Sequence, residues 1–382
     1  MNSTVLNQHF SVLIPDGENT FALQALQCLG RTKNVKTYVA SNNPFVQVRF
    51  SRYKKKFFSY PKDKSEEEKL EHILRIIKKT NVDTVLPVSQ ENIRLLSKNK
   101  KAIAEVTSLP LLPEVESMDL VGDKGRLGYW LTENYLPHPE TVLYEDNSEF
   151  YDFISKMSFP VLLKPTQRFG GIGIKNFHDF EKLLTYLKSN FLGERYIVQS
   201  FVKGYDIGCS VLCRDGKILS YSIQKSFREK ANPFISDAAV DFINDQRVYN
   251  IVSDLMKKLN WSGIANIDLK YDEVNDQVKI LEMNPRFWMT FLGSYYAGIN
   301  FPYLACLASL NIQFPAIELI EMRYFPPKEA IKIELRNILK KEKKISPLNK
   351  LVIKDYLIDP LPVIRREGVD SIRYIIGKSK KY

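Results

Sequence analysis

The chain has 382 residues, 44% hydrophobic and 26% charged, a composition that excludes a disordered or fibrous protein and leaves room for two or three domains. Its net charge of +11 is concentrated: residues 321–382 carry 16 Lys and Arg against 8 Asp and Glu, leaving +3 for the first 320 residues, which argues against a nucleic-acid-binding main body. The four cysteines (Cys28, Cys209, Cys213, Cys306) include no CxxC pair, Met1-Asn2-Ser3-Thr4 opens no basic-then-apolar signal, and no apolar run is long enough to span a membrane, so a cytoplasmic protein with buried free thiols is expected.

Residues 10–14 read as a short apolar strand, followed by a polar turn and a helical segment to about Leu29. Residues 35–40 and 56–60 read as further strands. Ser65-Glu66-Glu67-Glu68 is a capping box, and the helix it opens carries Leu70, Ile73, Leu74 and Ile77 on one face. A strand over residues 84–88 and a helix from about Gln90 complete an alternation that predicts a parallel sheet covered on both faces. Residues 1–116 are then expected to form one Rossmann-like domain, although its first turn carries no glycine fingerprint. Pro110 and Pro113 mark a linker, and one helix is predicted over 119–133. Strands are predicted at 196–201, 208–213, 218–223, 263–270 and 278–283, with a helix between residues 237 and 259.

Two stretches carry chemistry. The first is Lys164-Pro165-Thr166-Gln167-Arg168-Phe169-Gly170-Gly171-Ile172-Gly173-Ile174, in which three glycines fall within four residues. Glycine amides can approach a ligand closely and cradle an anion such as phosphate, but the flanking strands also allow a plain hairpin turn. The second is Ile280-Leu281-Glu282-Met283-Asn284-Pro285-Arg286. On a strand Glu282 and Asn284 project to one face, and Asp268, fourteen residues earlier on the partner strand, could project from that same face; the alternative is that Glu282 and Asp268 are solvent-facing strand residues and Asn284-Pro285 a turn. Two carboxylates and an amide oxygen converging in this way make a hard-oxygen site suited to Mg²⁺. The four histidines are scattered, and no G-x-S-x-G elbow occurs.

Taken in order, Asp123-Lys124, Lys164 with its glycine loop, Gln199-Ser200-Phe201-Val202-Lys203-Gly204, Asp268, and Glu282-Met283-Asn284-Pro285-Arg286 resemble the ATP-grasp superfamily, in its carbamoyl-phosphate-synthase-like and amino-acid ligase branch. The resemblance covers about residues 117–300 and implies an α/β and α+β protein: a Rossmann-like domain (1–116), an ATP-grasp fold of two subdomains with ATP between them (117–320, the flap subdomain about 125–200), and a basic extension (321–382). It implies that Lys124 and Lys164 hold ATP phosphates while Gly170, Gly171 and Gly173 form a flap over them. Gln199, Ser200, Phe201 and Val202 would serve adenine, with Asp206 receiving the ribose hydroxyls. Asp268, Glu282 and Asn284 would ligate two Mg²⁺ (Mn²⁺ as an alternative), and Arg286 would steady the substrate carboxylate or its acyl phosphate. Ser200 and Asp206 depart from the glutamates usual at those positions.

The activity so implied is an ATP-dependent ligase joining a small-molecule carboxylate to an amine through an acyl phosphate, releasing ADP and phosphate. A kinase acting on a hydroxyl and a non-catalytic ATP-binding module are the alternatives. Lys225 and Arg228 are candidates for an anionic substrate, or else a solvated surface. In the extension Ile331, Leu335, Ile338 and Leu339 share a helical face among Lys328, Lys332, Arg336, Lys340, Lys341, Lys343 and Lys344. Such a face suits contact with an anionic membrane, or packing onto the body with its basic side solvated.

Overall fold

The computed structural model describes residues 8–62, 65–168, 170–190, 193–227, 239–340 and 346–365. Two compact units emerge: Met1–Leu112 together with Arg286–Tyr382, and Pro113–Pro285. Arg228, Lys341, Lys343 and Lys344 lie outside the described residues.

In the first unit β1 (Phe10–Ile14), α1 (Thr20–Gly30), β2 (Val35–Ser41), β3 (Lys54–Ser59), α2 (Glu66–Thr80), β4 (Thr84–Val85), α3 (Gln90–Lys98) and α4 (Lys100–Ala104) follow one another. The strands form an all-parallel sheet in the order β3-β2-β1-β4. Val12, Leu13 and Ile14 are fully buried, as a strand covered by helices requires. Ser65 caps α2 by accepting from the Glu68 amide at 3.3 Å. The helix then buries Ile73, Ile76 and Ile77.

The strand expected over residues 84–88 is shorter, and the reason is electrostatic. Leu86 still donates to the Leu13 carbonyl at 2.8 Å. Beyond it the amides of Val88 and Ser89 turn to the buried Asp16 carboxylate, at 3.0 and 2.7 Å. Burial pushes the Asp16 carboxyl up to about 6, a rise those donors partly offset.

The second unit begins with α5 (Val115–Val121) and α6 (Lys124–Glu133), where one helix was expected. The break falls at Asp123, whose extended backbone and carboxylate cap α6 by accepting from the amides of Gly125 and Arg126. Next come β5 (Thr141–Leu143), α7 (Ser148–Ser155), β6 (Val161–Pro165), β7 (Lys175–Phe177), α8 (Phe180–Ser189) and β8 (Tyr196–Ser200). These strands form an antiparallel sheet, β5-β8-β6-β7, over a core that includes Phe150, Ile154, Leu163, Leu183 and Val198. The glycine loop joins β6 to its antiparallel neighbour β7.

The rest of this unit is β9 (Gly204–Arg214), β10 (Lys217–Lys225), β11 (Val240–Ile243), α9 (Gln246–Lys258), β12 (Gly263–Asp272) and β13 (Gln277–Asn284). All neighbours along β13-β12-β9-β10-β11 are antiparallel. The β9–β10 turn places Asp215 and Gly216 at φ 48° and 76°, the primed geometry that matches the twist of a long hairpin. Cys209 and Cys213 are buried free thiols on β9.

After Pro285 the backbone rejoins the first unit with α10 (Phe291–Tyr296), α11 (Phe301–Ser309), α12 (Pro327–Leu339) and α13 (Pro347–Ile358). Thus residues 286–320 and the basic extension cluster with the N-terminal segment. Phe287, Trp288, Phe291 and Phe301 form a buried aromatic cluster, and Tyr303 of α11 stacks on Phe10 of β1 at 5.7 Å. Asp355 of α13 meets Arg31 Nε at 3.3 Å and accepts from the Tyr296 hydroxyl at 3.0 Å. On α12 Ala330 is buried, whereas Leu335, Ile338 and Leu339 of the expected apolar face are exposed. Among the described residues no helix is long and apolar enough to cross a membrane.

Asp359 pins the extension to the segment just before β3. Its buried carboxylate accepts from Ser51 Oγ at 2.5 Å and from the Arg52 amide at 2.8 Å. Removing it strands both donors, a loss of about 2–3 kcal/mol. Asp359→Ala is therefore expected to lower the melting temperature by several degrees; an unchanged thermal melt would contradict this anchoring role.

Candidate active site

The second unit contains a pocket of 170 Å³ lined by residues of β6, the glycine loop, β8, β9, β12 and β13. Strand register builds its floor. Asp268 lies opposite Glu282 on β13 and Gly208 on β9, while Lys270 lies opposite Asp206. Asp268 and Lys270 are two apart and share a face; Ile267 and Leu269 between and beside them are buried in the core.

On β13 strict alternation would put Glu282 on the buried face of Val278 and Ile280. A register shift prevents this: Ile280 pairs with Leu269, but Glu282 already pairs with Asp268. The extra residue, Leu281, is a β-bulge that turns Glu282 and Asn284 away from the Val278–Ile280 face while Met283 stays buried.

The charges are closely knit. Asn284 Nδ2 donates to Asp268 Oδ2 at 3.1 Å and to Glu282 Oε1 at 3.3 Å. Asp268 Oδ1 accepts from Asn266 Nδ2 at 2.8 Å, and Asn266 in turn accepts from Ser210 Oγ. Lys124 Nζ lies 3.1 Å from Glu282 Oε2 and donates to the Arg168 carbonyl at 2.8 Å. Burial by itself would raise the Glu282 carboxyl, but the Lys124 ammonium, the Asp268 contact and Lys164 together hold it below its ordinary value.

Lys164 is buried, and its ammonium donates to Gln199 Oε1 at 2.7 Å. Gln199 is fixed from behind, because its Nε2 donates to Thr141 Oγ1 at 2.9 Å. Burial, with Lys124 and Lys270 nearby, pushes the Lys164 amine down to about 8 against the pull of Glu282 and Asp206. Gly170, Gly171 and Gly173 adopt φ of 66°, 75° and 82°, which a side chain at any of them would strain. Gly170 and Gly171 line the pocket. At Gly173 a Cβ would also come within 2.9 Å of Pro165.

The pocket therefore brings together Lys164, Gly170, Gly171, Gln199, Ser200, Phe201, Val202, Asp206, Asp268 and Glu282. Lys124 and Asn284 join through their bonds to Glu282. Arg286 belongs to the first unit, where it lies over the Phe21 ring at 5.5 Å and donates to the Phe287 carbonyl. Lys225 stacks on Tyr205, with its ammonium 3.6 Å from the ring centroid. Lys270, Gln224 and Ser226 also line the pocket and were not singled out from the sequence. For Lys270 a signal existed, since it stands two residues after Asp268 on the same face. Thr141 acts through Gln199, a partner distant in the sequence, and left no local sign; Asn266 stands two residues before Asp268, to which it donates.

Among the described residues no three His, Cys, Asp or Glu side chains gather as a metal cluster. The set here is two carboxylates and an amide. An oxygen-only set of this kind fits Mg²⁺, and the Lys124 ammonium drawn to Glu282 marks the same place as attractive to a cation. A half-turn of the Asn284 amide would present its oxygen beside the carboxylates.

The ATP-grasp domain family matches residues 121–290. The C-terminal section of the carbamoyl phosphate synthase large subunit of Methanopyrus kandleri is 25% identical over 321 residues, 76% of this protein and 54% of the relative, so the match spans about half the relative's length. D-alanine–D-alanine ligase B of Clostridium tetani is 22% identical over 268 residues, 62% of this protein and 75% of the relative. Among solved structures, N5-carboxyaminoimidazole synthetase of Staphylococcus aureus complexed with ADP superposes with a TM-score of 0.65 at 14% identity, covering 87% of this protein and 88% of that one. With the glycine loop, the two lysines and the acidic strand pair already in place, residues 121–290 are an ATP-grasp domain.

Proposed function

We propose that the protein is an ATP-dependent ligase that joins a carboxylate to an amine through an acyl phosphate. The observation that carries the reading is the juxtaposition of Asp268, Glu282 and Asn284 with two lysines in one pocket. Lys124 and Lys164 bind phosphate oxygens through their ammonium groups, and the amides around Gly170 and Gly171 cradle the same end of ATP. Asp268, Glu282 and Asn284 would hold Mg²⁺, which would neutralise charge on the terminal phosphates. A substrate carboxylate oxygen attacks the γ-phosphorus in line, ADP departs, and the amine then displaces phosphate from the acyl carbon. The similarity to a D-alanine–D-alanine ligase and a carbamoyl phosphate synthase section supports this reaction class.

Three tests follow from the charges. Glu282→Ala should reduce phosphate release at least 100-fold at saturating Mg²⁺ while leaving the circular dichroism spectrum unchanged; turnover within tenfold of wild type would remove Glu282 from the metal set. Product chromatography should yield ADP and phosphate, with a hydroxamate of the acid when hydroxylamine is added. AMP and pyrophosphate would defeat the mechanism, whereas ADP with a phosphorylated alcohol would move the protein to a kinase.

The third test uses Lys164. In the free protein its amine loses its proton near pH 8, well below the ordinary lysine value of 10.5. Phosphate binding favours the charged form, so nucleotide affinity should be flat below pH 8 and weaken up to about tenfold per pH unit above it. Calorimetry at pH 9 in buffers of different ionisation enthalpy should detect proton uptake on binding. Proton release instead would exclude Lys164 as the phosphate ligand.

A further inference from the structure

We propose that Lys270 fixes Asp206 as the ribose-recognising carboxylate, and so sets the preference of the pocket for ribonucleotides over their deoxy counterparts. The proposal rests on the reading of the pocket as a nucleotide site. Lys270 and Asp206 face one another across the β12–β9 ladder, and Nζ lies 3.0 Å from Oδ1. Both side chains line the pocket that Gln199, Phe201 and Val202 also line. An opposite-charge pair at directly facing strand positions is held by the backbone register, not by a chance meeting of two long groups.

The chemistry explains why such a brace is needed. A ribose presents two hydroxyl donors, and a carboxylate offers about four lone-pair sites with which to accept them. Asp206 reaches one methylene less far than a glutamate would, and its side chain is 34% exposed, so unbraced it would sample several rotamers. The Lys270 side chain is only 16% exposed; it supplies a charge-assisted bond to one oxygen and leaves capacity for the sugar. Lys270 also offsets the negative charge that Asp206 would otherwise set against the approaching phosphates. A pre-placed acceptor discriminates sharply between a sugar with and without its hydroxyl, and a mobile one does not.

The experiment is isothermal titration of the full-length protein, in the presence of Mg²⁺, with ADP, 2′-deoxy-ADP and 3′-deoxy-ADP. Wild type should bind ADP about tenfold more tightly than the weaker deoxy analogue. Lys270→Met, which keeps the stem and removes the ammonium, should weaken ADP binding and shrink that ratio below threefold without lowering the melting temperature. Lys270→Arg should restore the ratio. A Lys270→Met protein that keeps the full ratio overturns the role of Lys270. Equal binding of all three nucleotides by wild type overturns ribose recognition by Asp206. Failure of wild type to bind ADP at all overturns the nucleotide reading itself, a result separable from the other two.

Discussion

Two carboxylates set side by side on neighbouring strands repel one another unless positive charge is supplied, and the second unit is organised around that constraint. Asp268 and Glu282 face each other in register, and the protein answers with amide hydrogens from Asn266 and Asn284 and an ammonium from Lys124. Lys164 adds a second cation, buried and held by a neutral amide instead of by a carboxylate of its own. Each of these groups carries an electrostatic cost when considered alone. Together they compensate one another.

Much of this was legible in the sequence because it follows from short-range geometry. The spacing of Glu282 and Asn284, the position of Asp268 and the three clustered glycines were enough to locate the acidic floor and the loop above it. The strand alternation of residues 10–85 gave the parallel sheet, and Ser65 gave the start of its helix. What stayed hidden depended on which backbone groups a side chain claims and on local irregularity of a strand, and in one case on a partner far away in the sequence. Asp123 reads as one more polar residue within a helical run until its carboxylate is seen capping the next helix. Strand β4 ends early because Asp16, seventy-two residues before Val88, claims its amide. The bulge at Leu281 has no sequence mark, yet it decides which way Glu282 points.

The basic extension gives a different lesson. Its charge left open membrane contact or packing onto the body, because charge describes only the solvent side of a helix. The residues that place it are Asp355 and Asp359, two acids in a basic stretch, and their partners Arg31, Ser51 and Arg52 lie at the other end of the sequence.

That arrangement has a consequence for how the protein comes into being. The bond between the Arg52 amide and Asp359 spans 307 residues, and Tyr303 of α11, which stacks on Phe10 of β1, and Phe291 of α10, which meets Phe21 of α1, are likewise made late. During synthesis the N-terminal sheet must therefore wait, with part of its apolar surface uncovered, while the whole of residues 113–285 is produced and folds as an intervening body. Contacts of such long sequence separation form slowly, because loop closure is costly before they exist to reward it. The first unit is in this sense begun before residues 113–285 and completed after them, and its half-built form is the stage at which chaperone capture or aggregation would act.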